Sequence, residues 1–408
     1  MDFRPLFIFG VARSGTNLLA RMLDLHSQIA IALDPFLPLF KSLRNAALRD
    51  AGLGAACAEE APFQDCYFAP AGPAMIDAVL QADLGAELRP DDLPRLRAAV
   101  AARAGLESSD LPERLRGISG RSHGDAFADG LARIAAARGS DRTRIIGIKE
   151  LWTVDFLPAL ARWFPTARFL VLERDPRAVI ASLAAMATRD PTQKAHAVSY
   201  ARHWRKAVAL TRRFAGERDL APRLMRVGYE TLIAESQPTL DAICRFIGVD
   251  FDTAMLRIGE AVDRTNGRSW RGNSSFASET SGIDQAAANR WRTTLPESAR
   301  VGVEFLCAPE MRLAGYAPMA PSPGELTRSV IAWIAAENRD PGSWRSDSGD
   351  LAAELGFELL RHNLLLASDP EAPIDLVRRC FLFEATYHAL RDAAGLQDRG
   401  ERRRKAMP

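Results

Sequence analysis

The sequence predicts an α/β fold in which a doubly wound parallel sheet is flanked by helices. Short apolar runs alternate with stretches of helical spacing near the N-terminus and again after residue 144, a rhythm typical of parallel strands joined by helices. The first run, residues 6–9, leads into a loop bounded by Gly10 and Gly15 and then into a helix from Thr16. A strand, a glycine-bounded loop and a helix in this order form a P-loop-like cradle for an anion.

The later strands and helices follow the same order. Beyond the first strand, apolar runs predict strands over residues 29–33, 144–149, 167–173 and 223–228. Helical patterns are found over residues 156–164, from Pro176 onward, over 200–214, over 238–247 and over 296–306. Asp175 and Pro176 are typical of a helix N-cap and first turn. On helix 200–214 we expect the Arg and Lys side chains to lie on the outer face.

Two helical regions lie beside this α/β pattern. Residues 42–140 are rich in Ala, Leu and Arg, and we predict a helical insertion whose clearest helices cover residues 91–103 and 124–138. Such an insertion either covers the open end of the sheet, where acceptors bind, or forms a structural layer. Closely spaced prolines near residue 320 predict a linker between a domain of residues 1–320 and a C-terminal helical extension of residues 325–408.

Composition excludes several classes of protein. The 408 residues carry a net charge of +2, which argues against a general nucleic-acid binder. The five cysteines show no C-x-x-C pair, which fits a reducing compartment and offers no zinc framework. The sequence shows neither a signal-peptide pattern nor an apolar run of membrane-spanning length. We therefore expect a cytoplasmic protein without a transmembrane segment, whose oligomeric state stays open.

The residues of the first loop favour an anion bound without metal. Gly10 and Gly15 have the spacing of a Walker A loop, but Thr16 and Asn17 occupy the places where a nucleotide triphosphatase needs Lys and then Ser or Thr. The cation of this loop is Arg13. The alternative is an ordinary strand–turn–helix that contains two glycines.

Further cations and a hydroxyl are expected at the same edge of the sheet. Lys149 ends one predicted strand, and Arg174 follows another. Ser182 comes eight residues after Arg174, and two helical turns bring its hydroxyl back along the helix face toward Arg174. The two side chains can therefore share one phosphate. Taken singly, Lys149 or Arg174 is equally consistent with a surface ion pair, and Ser182 with a neutral helix residue.

These motifs resemble those of the PAPS-dependent sulfotransferase superfamily over roughly residues 5–317. Residues 10–19 are similar to its 5′-phosphosulfate loop, and residues 169–183 to its 3′-phosphate strand and helix. Residues 227–232 are similar to its Tyr-Glu-x-Leu segment, and residues 270–276 to a loop that returns to the nucleotide in bacterial members. The nucleotide-binding residues that the resemblance implies are Arg13, Ser14, Gly15, Thr16, Asn17, Leu18, Arg174, Ser182, Tyr229, Arg271, Gly272, Asn273 and Ser274.

Within the superfamily, the chain looks nearer the tyrosylprotein-type and bacterial branch. Arg13, Lys149 and Asp34 fall at the positions of that branch's loop arginine, strand lysine and carboxylate, although the family carboxylate is usually Glu. The resemblance implies in-line transfer of a sulfuryl group from the co-substrate PAPS to an acceptor hydroxyl or amine, without metal. Asp34 then takes the acceptor proton, while Arg13 and Lys149 stabilise the charge on the leaving oxygen. The acceptor is a small molecule, a carbohydrate or a peptide.

Alternatives remain open at this point. Asp34 before Pro35 is equally consistent with a simple turn residue, in which case Glu150, His123 or Asp155 is a possible substitute base. A P-loop kinase of small molecules shares the first loop, but lacks a reason for the Arg174 and Ser182 pair. A non-catalytic nucleotide-binding protein keeps the phosphate-binding residues and needs no base.

Overall fold

The computed structural model describes residues 3–63, 66–89, 91–190, 197–270, 282–319, 351–367 and 372–393. The chain divides into two compact units. The first unit comprises Met1–Ala61, Asp77–Arg174 and Phe214–Ala286, and the second comprises Pro62–Ile76, Asp175–Arg213 and Ala287–Pro408. The predicted boundary at residues 320–325, the helix expected after it and the basic run at 402–405 lie outside the described residues and stay predictions.

The first unit contains a parallel sheet of five strands in the order β2-β3-β1-β4-β5. The strands are β1 Arg4–Gly10, β2 Ile29–Leu33, β3 Ile145–Leu151, β4 Arg168–Glu173 and β5 Leu224–Gly228. The predicted doubly wound parallel sheet is confirmed. Since β3 and β4 lie on opposite sides of β1, the strand order reverses beside β1, and a crevice opens there at the carboxyl ends of the strands.

The central strand β1 is buried on both faces, as parallel strands covered by helices are. Its side chains Phe7, Ile8 and Phe9 are fully buried. Ile8 belongs to an apolar core that also contains Leu240 of a helix on that face. On the other face, the Phe7 and Phe169 rings stack with centroids 5.6 Å apart. Apolar burial therefore fixes β1 at the centre and directs its end, Gly10, into the crevice.

Helices connect and cover these strands, and they agree with the sequence pattern to within a few residues. They are α1 Thr16–Asp24, α2 Leu37–Asp50, α3 Gly72–Leu80, α4 Asp92–Gly105, α5 Pro112–Leu115, α6 His123–Arg138, α7 Leu157–Trp163, α8 Pro176–Arg189, α9 Ala197–Gly216, α10 Tyr229–Ala234, α11 Ser236–Ile247, α12 Trp291–Thr294 and α13 Glu297–Ala314. The helical insertion is confirmed, since α2 to α6 fall in it. Gly248 ends α11 with a φ of 80°, the left-handed conformation that glycine adopts at helix ends.

The second unit is helical in its described part. Its C-terminal helices span Leu351–Leu366, Ile374–Phe381 and Glu384–Ala393, and their apolar side chains share one small core. The expectation that residues 325–390 are helical therefore agrees with the segments that the structure describes.

One expectation about the second unit is wrong. The basic residues of α9 were expected on an outer face, but Arg202, Arg205 and Lys206 are buried. Arg202 and Arg205 form hydrogen-bonded ion pairs with the buried Glu358. Burial raises the pKa of Glu358, but Arg205 and Arg202 outweigh that effect and bring it to about 2. A basic helix residue with a distant buried partner has the same sequence pattern as one that faces water.

A buried charge cluster holds the start of α8. The Asp175 side chain accepts a hydrogen bond from the Arg177 amide at 2.8 Å, which confirms the predicted N-cap. The Arg177 guanidinium lies 2.7 Å from Asp175 Oδ2 and 2.9 Å from Glu304 Oε1. It also lies 4.1 Å from the centre of the Trp291 ring. Since Glu304 is fully buried, α13 supplies a charge that α8 needs.

We predict that Glu304→Ala lowers the free energy of unfolding by about 3 to 5 kcal/mol, because it leaves the buried Arg177 charge uncompensated. Chemical denaturation measures this change. The matched control is Glu297→Ala in the same helix, where an 85% exposed side chain lies 3.4 Å from Arg300 and the change should stay within about 0.5 kcal/mol. Equal effects of the two substitutions would contradict the assignment.

Candidate active site

Close packing makes both glycines of the first loop necessary. A Cβ at Gly10 would lie 2.6 Å from Thr16 Cγ2. Gly15 has a φ of 96°, and a Cβ there would lie 2.3 Å from Cδ2 of the Tyr229 ring. The Ser14 hydroxyl closes the loop by donating to the Val11 carbonyl oxygen at 2.6 Å. The loop is therefore a tight turn of backbone whose shape larger residues would disturb.

The loop opens directly into the N-terminus of α1. The first N–H groups of a helix have no carbonyl partner within the helix, and the positive end of the helix dipole adds to their attraction for an anion. Ser14 and Thr16 are buried, whereas Arg13, Asn17 and Leu18 are half-buried. The structure therefore supports the predicted anion cradle with unpaired helix N–H positions and an arginine within the same few residues.

Arg174 and Tyr229 join this loop from two neighbouring strands. Arg174 follows β4, and its Nη1 donates to the Arg13 carbonyl oxygen at 2.8 Å. Its guanidinium lies 4.1 Å from the centre of the Tyr229 ring. Tyr229 follows β5, and the same ring covers Gly15. Three of the residues predicted from separate motifs, Arg13, Arg174 and Tyr229, thus come together.

The remaining nucleotide residues are placed elsewhere or not described. Ser182 is buried in α8, which belongs to the second unit, whereas Arg174 is the last residue of its segment in the first. Residues 271–274, the predicted Arg271, Gly272, Asn273 and Ser274, lie outside the described residues. Roles for these five residues stay predictions.

Asp34 and Lys149 form a buried ion pair at the same edge of the sheet. Lys149 Nζ donates to Asp34 Oδ2, and both side chains are at most 4% exposed. The Leu151 amide donates to Asp34 Oδ1 at 3.2 Å. The Asp34 amide donates to the Lys149 carbonyl oxygen at 2.7 Å, which extends the β2–β3 ladder by one residue. The two predicted catalytic side chains are therefore in direct contact.

The insertion reaches this pair through α4. Arg103 Nε donates to the Asp34 carbonyl oxygen at 3.2 Å, and its Nη2 lies 3.6 Å from Asp34 Oδ2. One helical turn further, Glu107 is half-buried, and burial raises its pKa while the Lys149 charge lowers it. Sequence reasoning missed both residues, because no motif marks them and Arg103 is 69 residues from Asp34. Their position supports an insertion that covers the open end of the sheet.

The alternative bases have other surroundings. Glu150 is fully buried, and its Oε1 accepts a hydrogen bond from the Phe36 amide. His123 in α6 lies within hydrogen-bonding distance of the Ser42 hydroxyl, at 3.0 Å, and of the Ala86 carbonyl oxygen, at 3.2 Å. Burial lowers the His123 pKa. Asp155 is buried in the turn after β3.

Backbone strain marks the same edge. Arg13, Asp34 and Trp152 follow β1, β2 and β3 and have φ angles of 70°, 46° and 71°. Non-glycine residues rarely adopt this left-handed conformation, and such strain gathers at functional sites where the surroundings enforce it. These adjacent strand ends are thus held in a fixed and costly geometry.

Three further searches of the described residues gave negative results. No group of three or more His, Cys, Asp or Glu side chains is placed to hold a metal ion. The described cysteines, Cys57, Cys244, Cys307 and Cys380, are free thiols. No helix in these ranges combines the length and the apolar character needed to cross a membrane.

Comparison with known proteins gives consistent matches. The sequence model described as "Sulfotransferase family" matches residues 5–253. The chain is 26% identical over 257 residues to protein-tyrosine sulfotransferase 2 of Gallus gallus, an alignment that covers 61% of this chain and 67% of that protein. It is 24% identical over 257 residues to protein-tyrosine sulfotransferase 1 of Danio rerio, with 61% and 69% covered.

Solved structures include similar folds. The sulfotransferase domain of the Synechococcus PCC 7002 olefin synthase aligns with a TM-score of 0.44 and 22% identity, covering 75% of this chain and 94% of that domain. The sulfotransferase domain from the curacin biosynthetic pathway aligns with a TM-score of 0.45 and 18% identity, covering 77% and 98%.

The family match extends over more than half of the chain and includes the glycine-bounded loop, Asp34, Lys149, Arg174 and Tyr229. It confirms the resemblance found in the motifs and supports a transferase of sulfuryl groups, and it does not favour a kinase. The chain belongs to the sulfotransferase family.

Proposed function

We propose that this protein transfers a sulfuryl group from 3′-phosphoadenosine 5′-phosphosulfate (PAPS) to an acceptor hydroxyl and releases 3′-phosphoadenosine 5′-phosphate (PAP). The observation that carries the proposal is the buried Lys149–Asp34 ion pair at the strand ends. Beside it on the neighbouring strand β1 lies a phosphate-binding type of loop. Family membership supports sulfuryl transfer, and the donor and acceptor are inferred from the residues present.

The loop and its neighbours fit the two phosphate groups of such a nucleotide. The backbone at Gly10 and Gly15 lies so close to its neighbours that a Cβ would not fit, as in loops that approach phosphates closely. We assign the 5′-phosphosulfate to this loop and to Arg13. We assign the 3′-phosphate to Arg174, whose guanidinium is already held by the Arg13 carbonyl and the Tyr229 ring, together with Ser182.

The ion pair supplies the groups that the transfer requires. As the bond between sulfur and the bridging oxygen of PAPS breaks, that oxygen gains negative charge, which Lys149 and Arg13 stabilise. The acceptor oxygen forms the new bond to sulfur, and its proton passes to the Asp34 carboxylate. Asp34 is held for this role by the Leu151 amide and by its contact with Lys149.

A tyrosyl hydroxyl in a peptide is the first acceptor to test. The relatives in Gallus gallus and Danio rerio are protein-tyrosine sulfotransferases. In this chain, α4 brings Arg103 to Asp34, with Glu107 one turn beyond. These side chains therefore belong to the region where an acceptor would approach the base. Carbohydrate and small-molecule hydroxyls are the other classes to compare.

Arg174→Ala should weaken PAP binding by about 2 to 4 kcal/mol, because it removes a charge-assisted contact to the 3′-phosphate from a buried position. Binding of adenosine 5′-phosphosulfate, which lacks that phosphate, should change far less. Titration calorimetry in EDTA measures both affinities. Since Arg245 is 73% exposed on α11 and pairs only at the surface with Asp241, Arg245→Ala is the control and should bind PAP like the wild type.

An equal loss of affinity for both nucleotides would remove Arg174 from the 3′-phosphate site. Tighter binding of ATP with Mg²⁺ than of PAP by the wild-type protein would favour the kinase alternative instead.

Asp34→Asn should lower the rate of sulfuryl transfer by about 10²- to 10⁴-fold and leave PAP affinity nearly unchanged, because a base acts on the acceptor proton. Asp34→Glu, which restores the usual residue of the family, should retain appreciable activity. Steady-state transfer rates and PAP titrations on folded variants measure the two effects. Asp241→Asn on α11 is the surface control.

Near-normal turnover of Asp34→Asn, with intact PAP binding, would show that another group takes the acceptor proton.

A further inference from the structure

Glu150 is a buried carboxyl group that the proposed reaction does not use. It follows Lys149 on β3 and is 0% exposed. Its Oε1 accepts a hydrogen bond from the Phe36 amide, whereas its buried Oε2 has no hydrogen-bond partner. A buried carboxylate normally satisfies both of its oxygens. This side chain therefore needs an explanation that its immediate partners do not give.

The Phe36 amide belongs to the turn that carries Asp34. Asp34 has the strained φ of 46°, and Pro35 has no N–H to donate. Phe36 therefore supplies the first amide after Asp34 that can fix the turn, and α2 begins at the next residue. Before the turn, the Asp34 amide is bonded to the Lys149 carbonyl oxygen. Hydrogen bonds from β3 thus hold the strained residue on both sides.

The charges around Glu150 favour its neutral form. Burial and the charge of Asp34 at the end of β2 raise the pKa of Glu150 well above its ordinary value. The Phe36 hydrogen bond, Lys149 of β3 and Arg103 of α4 oppose this shift and are the weaker influences. A neutral acid can hold the turn without placing a second negative charge beside Asp34, which would compete for Lys149.

We propose that Glu150 is a positioning residue that, as a neutral carboxylic acid, holds the Phe36 amide and so keeps Asp34 in place against Lys149. The inference rests on the proposed function, since it deepens the role of the same site. It gives Glu150 a role different from that of a substitute base.

Two substitutions separate these roles. In Glu150→Gln, the amide oxygen can still accept the Phe36 hydrogen bond and the side chain stays neutral, so kcat should remain within about threefold of wild type. In Glu150→Ala, the turn loses this support, and kcat should fall about 10- to 100-fold with KM for PAPS and PAP affinity little changed, because a small displacement of the base is costly. A loss of about 10²-fold or more in Glu150→Gln would make Glu150 the base and overturn the proposal. So would an unchanged kcat in a folded Glu150→Ala.

A second measurement does not depend on turnover. A carboxyl group whose pKa is raised in the folded protein adds stability below its ordinary pKa, and that stability is lost as pH rises toward the folded value. The melting temperature of Glu150→Gln minus that of wild type should therefore increase as pH rises from about 4.5 to 8. A difference that stays constant over this range would overturn the neutral-acid assignment.

The two measurements also separate this inference from the proposed function. Absence of sulfuryl transfer in the wild-type protein would count against the proposed function, and the positioning role would fall with it. The pH series would still decide whether Glu150 is neutral. If Glu150→Ala does not fold, Glu150→Gln and the pH series carry the test.

Discussion

The buried pairing of Lys149 with Asp34 is the interaction on which the arrangement of this site depends. Two charges taken out of water destabilise a fold unless hydrogen bonds and close geometry compensate them. Here β2 and β3 must be neighbours so that the pair can form, and the Leu151 amide and Arg103 must meet the carboxylate. The pair therefore couples the end of the sheet to the helical insertion, and it holds Asp34 in a backbone conformation that an isolated chain would avoid.

The sequence predicted the parts of this architecture that depend on local pattern. The five strands, the glycine-bounded loop and the Asp175 cap were visible because apolar periodicity and turn chemistry act over a few residues. Asp34 and Lys149 were predictable as partners at one edge because parallel strands end on the same side. Arg13, Arg174 and Tyr229 came from motifs, and the structure brings these three residues together.

The remaining features depend on contacts between distant segments. Nothing near Arg103 indicates that α4 reaches Asp34, and nothing in α9 indicates that its arginines meet Glu358. The charge state of Glu150 likewise follows from complete burial beside Asp34, which no short pattern encodes. Backbone strain at Trp152 also follows from packing at the strand ends, since β-strand periodicity carries no information about the residue after the strand.

The central claim is that the loop, Arg174 and the ion pair together move a sulfuryl group. Incubation of the wild-type protein with radiolabelled PAPS and a panel of tyrosyl-peptide, phenol and carbohydrate acceptors tests it most directly. The proposal predicts that, with at least one acceptor class and in EDTA, each molecule of PAP formed is matched by one labelled, sulfated acceptor. Saturable PAP binding with the label remaining on the nucleotide for every acceptor would contradict it.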